Sequence, residues 1–298
     1  MQMSDPLIDR PVFIGGPHRS GTGMLRAILG SNSQLAVPVK EYQFFDRLSP
    51  SGDAVRDLRA VLGWPKVREW QLPAVDAAAM LTGTDGSLKE IYAAPLRAHA
   101  AALGKPRFGE KTPYLERHFE TLRGWFGAET RFVQIVRAPL PTFVSLSHME
   151  GSRRAVNPVI FARGWRASAL RGLDFAACFP GQFTLIPYES FVADPAAWTR
   201  RLCEFCGLPP EIDTMLATMD GERRRNSSFV GDDWRPGIAP IDRRLIEREV
   251  GPLIDGVEPF LGGPAPLPLA LIAEENRRDT PLLARMRTLS VRVRAKLP

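Results

Sequence analysis

The sequence predicts an α/β fold, in three α/β/α layers around a central parallel sheet with a helical insertion. Three observations carry this. Short apolar runs alternate with helix-length segments, the pattern of strands joined by crossover helices. The first apolar run ends in a glycine-rich turn that opens straight into a helical pattern. Residues 46–105 mix Pro, Gly and Ala-rich helical pieces and hold no strand-like run.

The elements follow in order. Pro11–Gly15 is an apolar run ending in glycine and reads as a buried strand. Gly16–Gly23 is the turn, and Met24–Leu29 has apolar positions at helical spacing. Leu35–Val37 is a second short strand. Within the insertion, Ala54–Leu62, Val75–Leu81 and Lys89–Leu103 read as helices, with Trp64 and Trp70 as packing residues. Arg107–Glu110 is a strand, Tyr114–Phe126 a helix, and Arg131–Val136 the clearest strand of all. Pro139–Met149 and Val159–Ala177 are helices, Gln182–Ile186 a strand, and Pro195–Cys206 and Pro240–Pro259 helices.

The chain has 298 residues, a length that suits one α/β domain spanning 1–298. A hydrophobic share of 44% and a charged share of 24% fit a globular chain and argue against disorder, collagen or coiled coil. No apolar stretch reaches the roughly 18 residues of a membrane span, and the start has no signal-peptide pattern. A cytoplasmic location is expected. Three cysteines make no disulfide framework. Cys203 and Cys206 fall inside a helical pattern and read as core residues, and no Cys/His set has metal-ligand spacing, so no metal is expected.

The net charge of +6 is unevenly spread. Residues 277–298 carry Arg277, Arg278, Arg285, Arg287, Arg292, Arg294 and Lys296 against Asp279, which accounts for the whole excess. A nucleic-acid-binding body is therefore not expected. In this tail, Leu282, Met286, Leu289 and Val293 form an apolar stripe flanked by the cations. It reads first as a terminal helix packed on its own domain. The second reading is peripheral contact with a membrane surface.

The chemistry concentrates at the turn. A glycine-rich loop before a helix N-terminus presents backbone N–H groups and a positive dipole end, so the fold is P-loop-like and suits a phosphate. Ser20 and Thr22 add hydroxyls, and Arg19 adds a cationic fork. A nucleotide triphosphatase loop would place Lys after the second glycine; here Thr22 follows Gly21. The strongest later strand ends in Arg137 instead of a magnesium-binding Asp, with Ser145 on the next helix. Cations where an anion is expected favour an all-protein phosphate site.

These stretches resemble the sulfotransferases that use 3′-phosphoadenosine 5′-phosphosulfate (PAPS), above all the branch with arginine in the loop, which includes tyrosylprotein sulfotransferases and bacterial relatives. Phe13–Leu29 is similar to their 5′-phosphosulfate loop, and Phe132–Pro139 with Ser145 to their 3′-phosphate motif. Phe108–Pro113, Ile186–Pro195 and Arg201–Pro209 agree in order and spacing. The resemblance implies that Arg19, Ser20, Gly21, Thr22 and Gly23 hold the 5′-phosphosulfate and that Arg137 and Ser145 hold the 3′-phosphate. It places Tyr188 near the adenosine and Ser228 as a later cofactor contact. Glu41 aligns with the glutamate that acts as base, and Lys111 with a lysine that steadies the transferring group. The pattern departs at Gly23, at Ala138 and at Met149, where an arginine is expected; Arg153 or Arg154 are the substitutes at hand.

The implied reaction is in-line transfer of a sulfuryl group to an acceptor hydroxyl, with Glu41 as base, Arg19 and Lys111 stabilising charge, and PAP as the other product. Partial burial of Glu41 is expected to raise its pKa. Surface pairing of Glu41 with Lys40 or Arg47, and of Lys111 with Glu110, is the competing expectation. Among the histidines, His18 reads as a residue that positions the turn, and His118 and His148 as surface or packing residues. The alternatives are a P-loop phosphotransferase and a non-catalytic nucleotide-binding or interaction module. Acceptor identity and oligomeric state are not readable from the sequence.

Overall fold

The computed structural model describes residues 10–70, 72–74, 76–148, 156–219 and 234–261. Five parallel strands form the sheet: β1 Val12–Gly15, β2 Leu35–Ala36, β3 Arg107–Lys111, β4 Arg131–Val136 and β5 Phe183–Pro187, in the order β2-β3-β1-β4-β5. Helices cover both faces, as a parallel sheet requires.

Alternation within the strands sorts the core. Phe13, Phe132 and Phe183 lie opposite one another on three adjacent strands, and the last two rings stack 5.0 Å apart. Against them pack Phe119 and Phe126 of α7 (Phe119–Phe126) and the aromatic residues of the helical segment. On the opposite face Val12, Ile14, Val133, Ile135 and Ile186 meet α1 (Thr22–Gly30) and α11 (Pro195–Cys206). Cys203 and Cys206 are buried there, and Gly207 ends α11 at φ 61°, the left-handed cap that glycine accepts freely.

Between β2 and β3 run α2 Phe44–Arg47, α3 Ala54–Leu62, α4 Pro65–Arg68, α5 Ala77–Met80 and α6 Leu88–Ala102. Trp70 is buried and Trp64 packs on the same cluster, as expected. Pro95 lies inside α6 and lacks an N–H, which deprives the Ile91 carbonyl of its helical partner. The buried Tyr42 hydroxyl reaches that carbonyl at 3.5 Å and the Tyr92 carbonyl at 3.1 Å. Tyr42 thereby pins the chain beside Glu41 to α6.

After β4 come α8 Pro139–Ser147 and α9 Pro158–Cys178, and after β5 α10 Tyr188–Ala193, α11, α12 Ile212–Ala217 and α13 Pro240–Val250. Three expectations need correction. Tyr114 takes φ 62°, so the helix expected from Tyr114 splits into a 3₁₀ turn at Leu115–His118 and then α7. The helix expected over 240–259 stops at Gly251, φ 57°, and continues as 3₁₀ turns. Tyr188–Ala193, unassigned in the sequence, is a helix begun by Pro187 at the end of β5. No helix among the described residues is long and apolar enough to cross a membrane. The basic tail at 277–298 lies outside the described residues, as do Met149, Arg153, Arg154 and Ser228.

Candidate active site

Parallel pairing brings the carboxyl ends of the strands to one edge. Lys111 pairs with Ile14, Gly15 with Gln134, and Val136 with Pro187. Arg137 and Tyr188 are the next residues along their strands. The turn after β1 therefore faces Lys111, Arg137 and Tyr188, in the crevice where open α/β sheets bind ligands.

The turn is shaped by close approach. Gly16 has φ 129°, and a Cβ there would lie 2.1 Å from the Ile135 carbonyl oxygen. Gly21 has φ 97°, and its Cβ would lie 2.7 Å from the Tyr188 ring. Arg19 accepts φ 65°, a left-handed conformation uncommon for a non-glycine residue. A buried carboxyl secures the base of the turn: Gly16 N–H donates to Glu116 Oε2 at 2.9 Å, and Ser168 Oγ–H donates to Oε1 at 2.5 Å. Burial pushes the Glu116 carboxyl above its ordinary value.

The mouth of the turn is prepared for an anion. α1 begins at Thr22 with Gly21 as its cap, a residue with no side chain to bond the first N–H groups, and its first turn has no acidic residue. Ser20 Oγ is buried without a hydrogen-bond partner among the described residues. Arg19 Nε donates to Ser145 Oγ at 2.9 Å. Arg137 lies over the Tyr188 ring, 4.8 Å from its centroid, and its carbonyl accepts from Trp165 Nε1 at 2.9 Å. Burial, then the nearby Arg137, lowers the Arg19 pKa. Arg19, Ser20, Gly21, Thr22, Gly23, Arg137, Ser145 and Tyr188 thus come together around one crevice.

Glu41 and Lys111 form the second half. Lys111 Nζ bonds Glu41 Oε1 at 3.0 Å, and Lys66 Nζ of α4 bonds Oε2 at 2.8 Å. The expected surface pairs do not form: Lys40 pairs with Glu69 at 3.1 Å, and Arg47 Nε bonds Gln43 Oε1 at 3.1 Å. The expected rise in the Glu41 pKa is also corrected. Burial does push it up, but the two lysines outweigh burial and hold it at about 2. Burial lowers the Lys111 pKa and Glu41 opposes that. Behind Lys111, the buried Glu110 accepts from the Tyr92 and Thr112 hydroxyls, each at 2.5 Å, and burial raises it to about 7.

A cavity of about 210 Å³ opens beside this group. His18, Gln43 and Thr112 are among its lining residues, and Phe44, Phe45, Tyr114 and His118 supply rings. Gln43 N–H donates to Thr112 Oγ1 at 3.1 Å, and Gln43 Nε2 reaches Glu41 Oε2 at 3.4 Å. His18 meets the Tyr114 ring edge-on at 5.4 Å. His18 keeps an exposed edge, yet the atoms packed around its ring lower its pKa, against the pull of Glu41. His118, expected at the surface or in packing, stacks on Phe45 at 4.0 Å as part of the cavity wall. His148 ends α8 with Nδ1 2.8 Å from the Val144 carbonyl.

Sequence reasoning missed Lys66, Glu116, Gln43 and this wall. Lys66 sits in a four-residue helix and carries no local signal. Among the described residues no group of acidic, His and Cys side chains has the arrangement of a metal site.

Comparison with known proteins bears on the family and the fold. A family model described as the sulfotransferase family matches residues 11–212. No curated protein matches the sequence. The sulfotransferase domain of the Synechococcus PCC 7002 olefin synthase shares the fold, with a TM-score of 0.51 at 19% identity over 93% of this chain and 97% of that one. A Mycobacterium avium sulfotransferase has a TM-score of 0.48 at 16% identity, over 82% and 76% of the two chains. The sulfotransferase domain of the curacin biosynthetic pathway has 0.47 at 21% identity, over 91% and 96%.

Proposed function

The chain belongs to the sulfotransferase family, and from that premise we propose that it moves a sulfuryl group from 3′-phosphoadenosine 5′-phosphosulfate to an acceptor hydroxyl. The observation that carries the reading is the Arg19–Ser145 bond, which joins the two phosphate motifs of the sequence at 2.9 Å. The residues suit the donor: a helix start capped by glycine, the Ser20 hydroxyl, without a partner among the described residues, and a glycine cradle for one phosphate group, with Arg137 and Ser145 for another. Tyr188 offers a ring beside Arg137 for the adenosine.

When bound, the donor supplies a sulfuryl group activated as an anhydride with phosphate. Arg19, Lys111 and the N–H groups of α1 stabilise negative charge as it gathers on the phosphate side. The acceptor oxygen bonds to sulfur as the sulfur–oxygen bond to phosphate breaks, with that electron pair left on the phosphate. Glu41 takes the acceptor proton.

The test is binding and transfer by the full chain. Adenosine 3′,5′-bisphosphate should bind in calorimetry, and sulfate transfer should persist when a chelator removes magnesium. Dependence on magnesium with a nucleoside triphosphate as donor would favour a phosphotransferase. Binding without transfer to any hydroxyl would favour the non-catalytic reading.

A further inference from the structure

We infer that the buried Glu110 is a positioning residue: with the Tyr92 and Thr112 hydroxyls it closes a ring of hydrogen bonds that holds Glu41 in contact with Lys111. Its bearing on sulfuryl transfer rests on the base role proposed above for Glu41.

The ring can be traced atom by atom. Glu110 Oε1 accepts from the Thr112 hydroxyl and Oε2 from the Tyr92 hydroxyl, each at 2.5 Å. The Thr112 oxygen accepts the Gln43 N–H at 3.1 Å, so its own proton is left for Glu110. The Tyr92 carbonyl accepts from the Tyr42 hydroxyl at 3.1 Å. Tyr42 and Gln43 are consecutive, which completes the circuit. It joins the end of β3, α6 and the chain after β2. Glu41 directly precedes Tyr42, and Lys111 lies between Glu110 and Thr112. Their 3.0 Å contact therefore spans a frame fixed on both sides.

Gln43 takes φ 57°, a left-handed conformation that a non-glycine residue keeps only where its surroundings hold it. The bond from its N–H to Thr112 is such a hold, two residues from Glu41. Packing does not need the carboxyl. Tyr42 and Tyr92 already meet each other, Trp70 and Phe44 in an aromatic cluster. Glu110 is 2% exposed, and burial pushes it up to about 7, so its ionised form is a cost to the core. What it supplies is geometry: two acceptor oxygens on one rigid group, where an amide has one acceptor and one donor. The titratable groups facing Glu110 are Tyr42, Tyr92, Lys111 and Glu41; those facing Glu41 are Lys111, Lys66 and His18.

The experiment follows the Glu41 carboxyl carbon by NMR in the full chain carrying isotope-labelled glutamate, with the resonance identified by its loss in Glu41→Gln. The wild-type shift should be flat between about pH 3.5 and 6, since the lysines hold Glu41 at about 2. In Glu110→Gln and in Thr112→Val the carboxylate should leave Lys111 and begin to titrate in that window, its proton affinity raised at least about tenfold. Removing the Glu110 charge alone would act in the opposite direction, because a like charge raises its neighbour. The rise therefore reads position. Thr112→Ser keeps the hydroxyl and should keep the flat shift. A flat shift in either Glu110→Gln or Thr112→Val, with the fold intact by circular dichroism, overturns the inference. So do equal effects of Thr112→Ser and Thr112→Val, and so does loss of the fold in both Glu110→Gln and Thr112→Val, which would make Glu110 structural only. The base role fails separately: near-wild-type turnover of PAPS by Glu41→Gln would remove it and leave the ring standing.

Discussion

Arg19 and Ser145 are 126 positions apart and share a 2.9 Å hydrogen bond. The bond ties the turn after β1 to the helix after β4, so each motif orients the other. Ser145→Ala should weaken adenosine 3′,5′-bisphosphate binding by about three- to tenfold, the net value of one ordinary hydrogen bond. Arg19→Lys should cost more, at least about tenfold, because an ammonium cannot keep the fork that bonds serine and phosphate together. Calorimetry on both variants checks the order. Equal losses would contradict it.

Glu41→Gln should abolish turnover and leave bisphosphate binding nearly intact. It also alters stability. The folded-state pKa of about 2 lies below the ordinary 4.5. A depressed carboxylate contributes its stability above the unfolded value and loses it as pH falls through the folded one. Melting temperatures of wild type and Glu41→Gln should therefore differ most above pH 4.5 and converge toward pH 2. A gap that widens in acid would be the wrong sign.

Lys66→Met removes one of the two cations on Glu41. With Lys111 alone, the carboxylate protonates at higher pH. The acid limb of the kcat/KM profile should move up by about one pH unit. Lys66→Arg should restore most of the profile. A loss of rate with an unmoved limb would assign Lys66 a packing role only.

Glu110 tests burial of the opposite sign. Its pKa is raised to about 7 in the fold, so the folded state holds a proton that the unfolded state releases near 4.5. Stability is full below 4.5 and declines as pH rises toward 7. Glu110→Gln keeps a neutral side chain in the same space. Its melting temperature should stay flat between pH 5 and 8 while that of wild type falls.

Much of the fold was legible because it rests on local pattern. Arg131–Val136 and Pro195–Cys206 have the bounds read from the sequence, since an apolar run and a proline-to-glycine frame mark them directly. The glycine-rich turn after β1 was legible for the same reason. Misses arose where distant contacts decide. Tyr114 adopts a left-handed backbone that no neighbour in sequence announces. Glu41 was expected to be a raised carboxylate, and only the fold brings Lys66 to within 2.8 Å of it. Glu116 resembles any charged residue on a helix until its oxygen is found on the Gly16 N–H.

Lys66 belongs to the stretch at residues 46–105, whereas Glu41 precedes it. An engineer who replaced residues 46–105 to recruit a new acceptor would retain Arg19, Arg137 and Ser145. The replacement would also delete one cation without touching any donor contact. The remaining Glu41–Lys111 pair would be electrically neutral where the native trio with Lys66 has a surplus positive charge, and an incoming polyanion would meet a weaker field. Under the proposed transfer, acceptor choice and donor capture are therefore not separable cargo: a viable chimaera must bring its own ammonium.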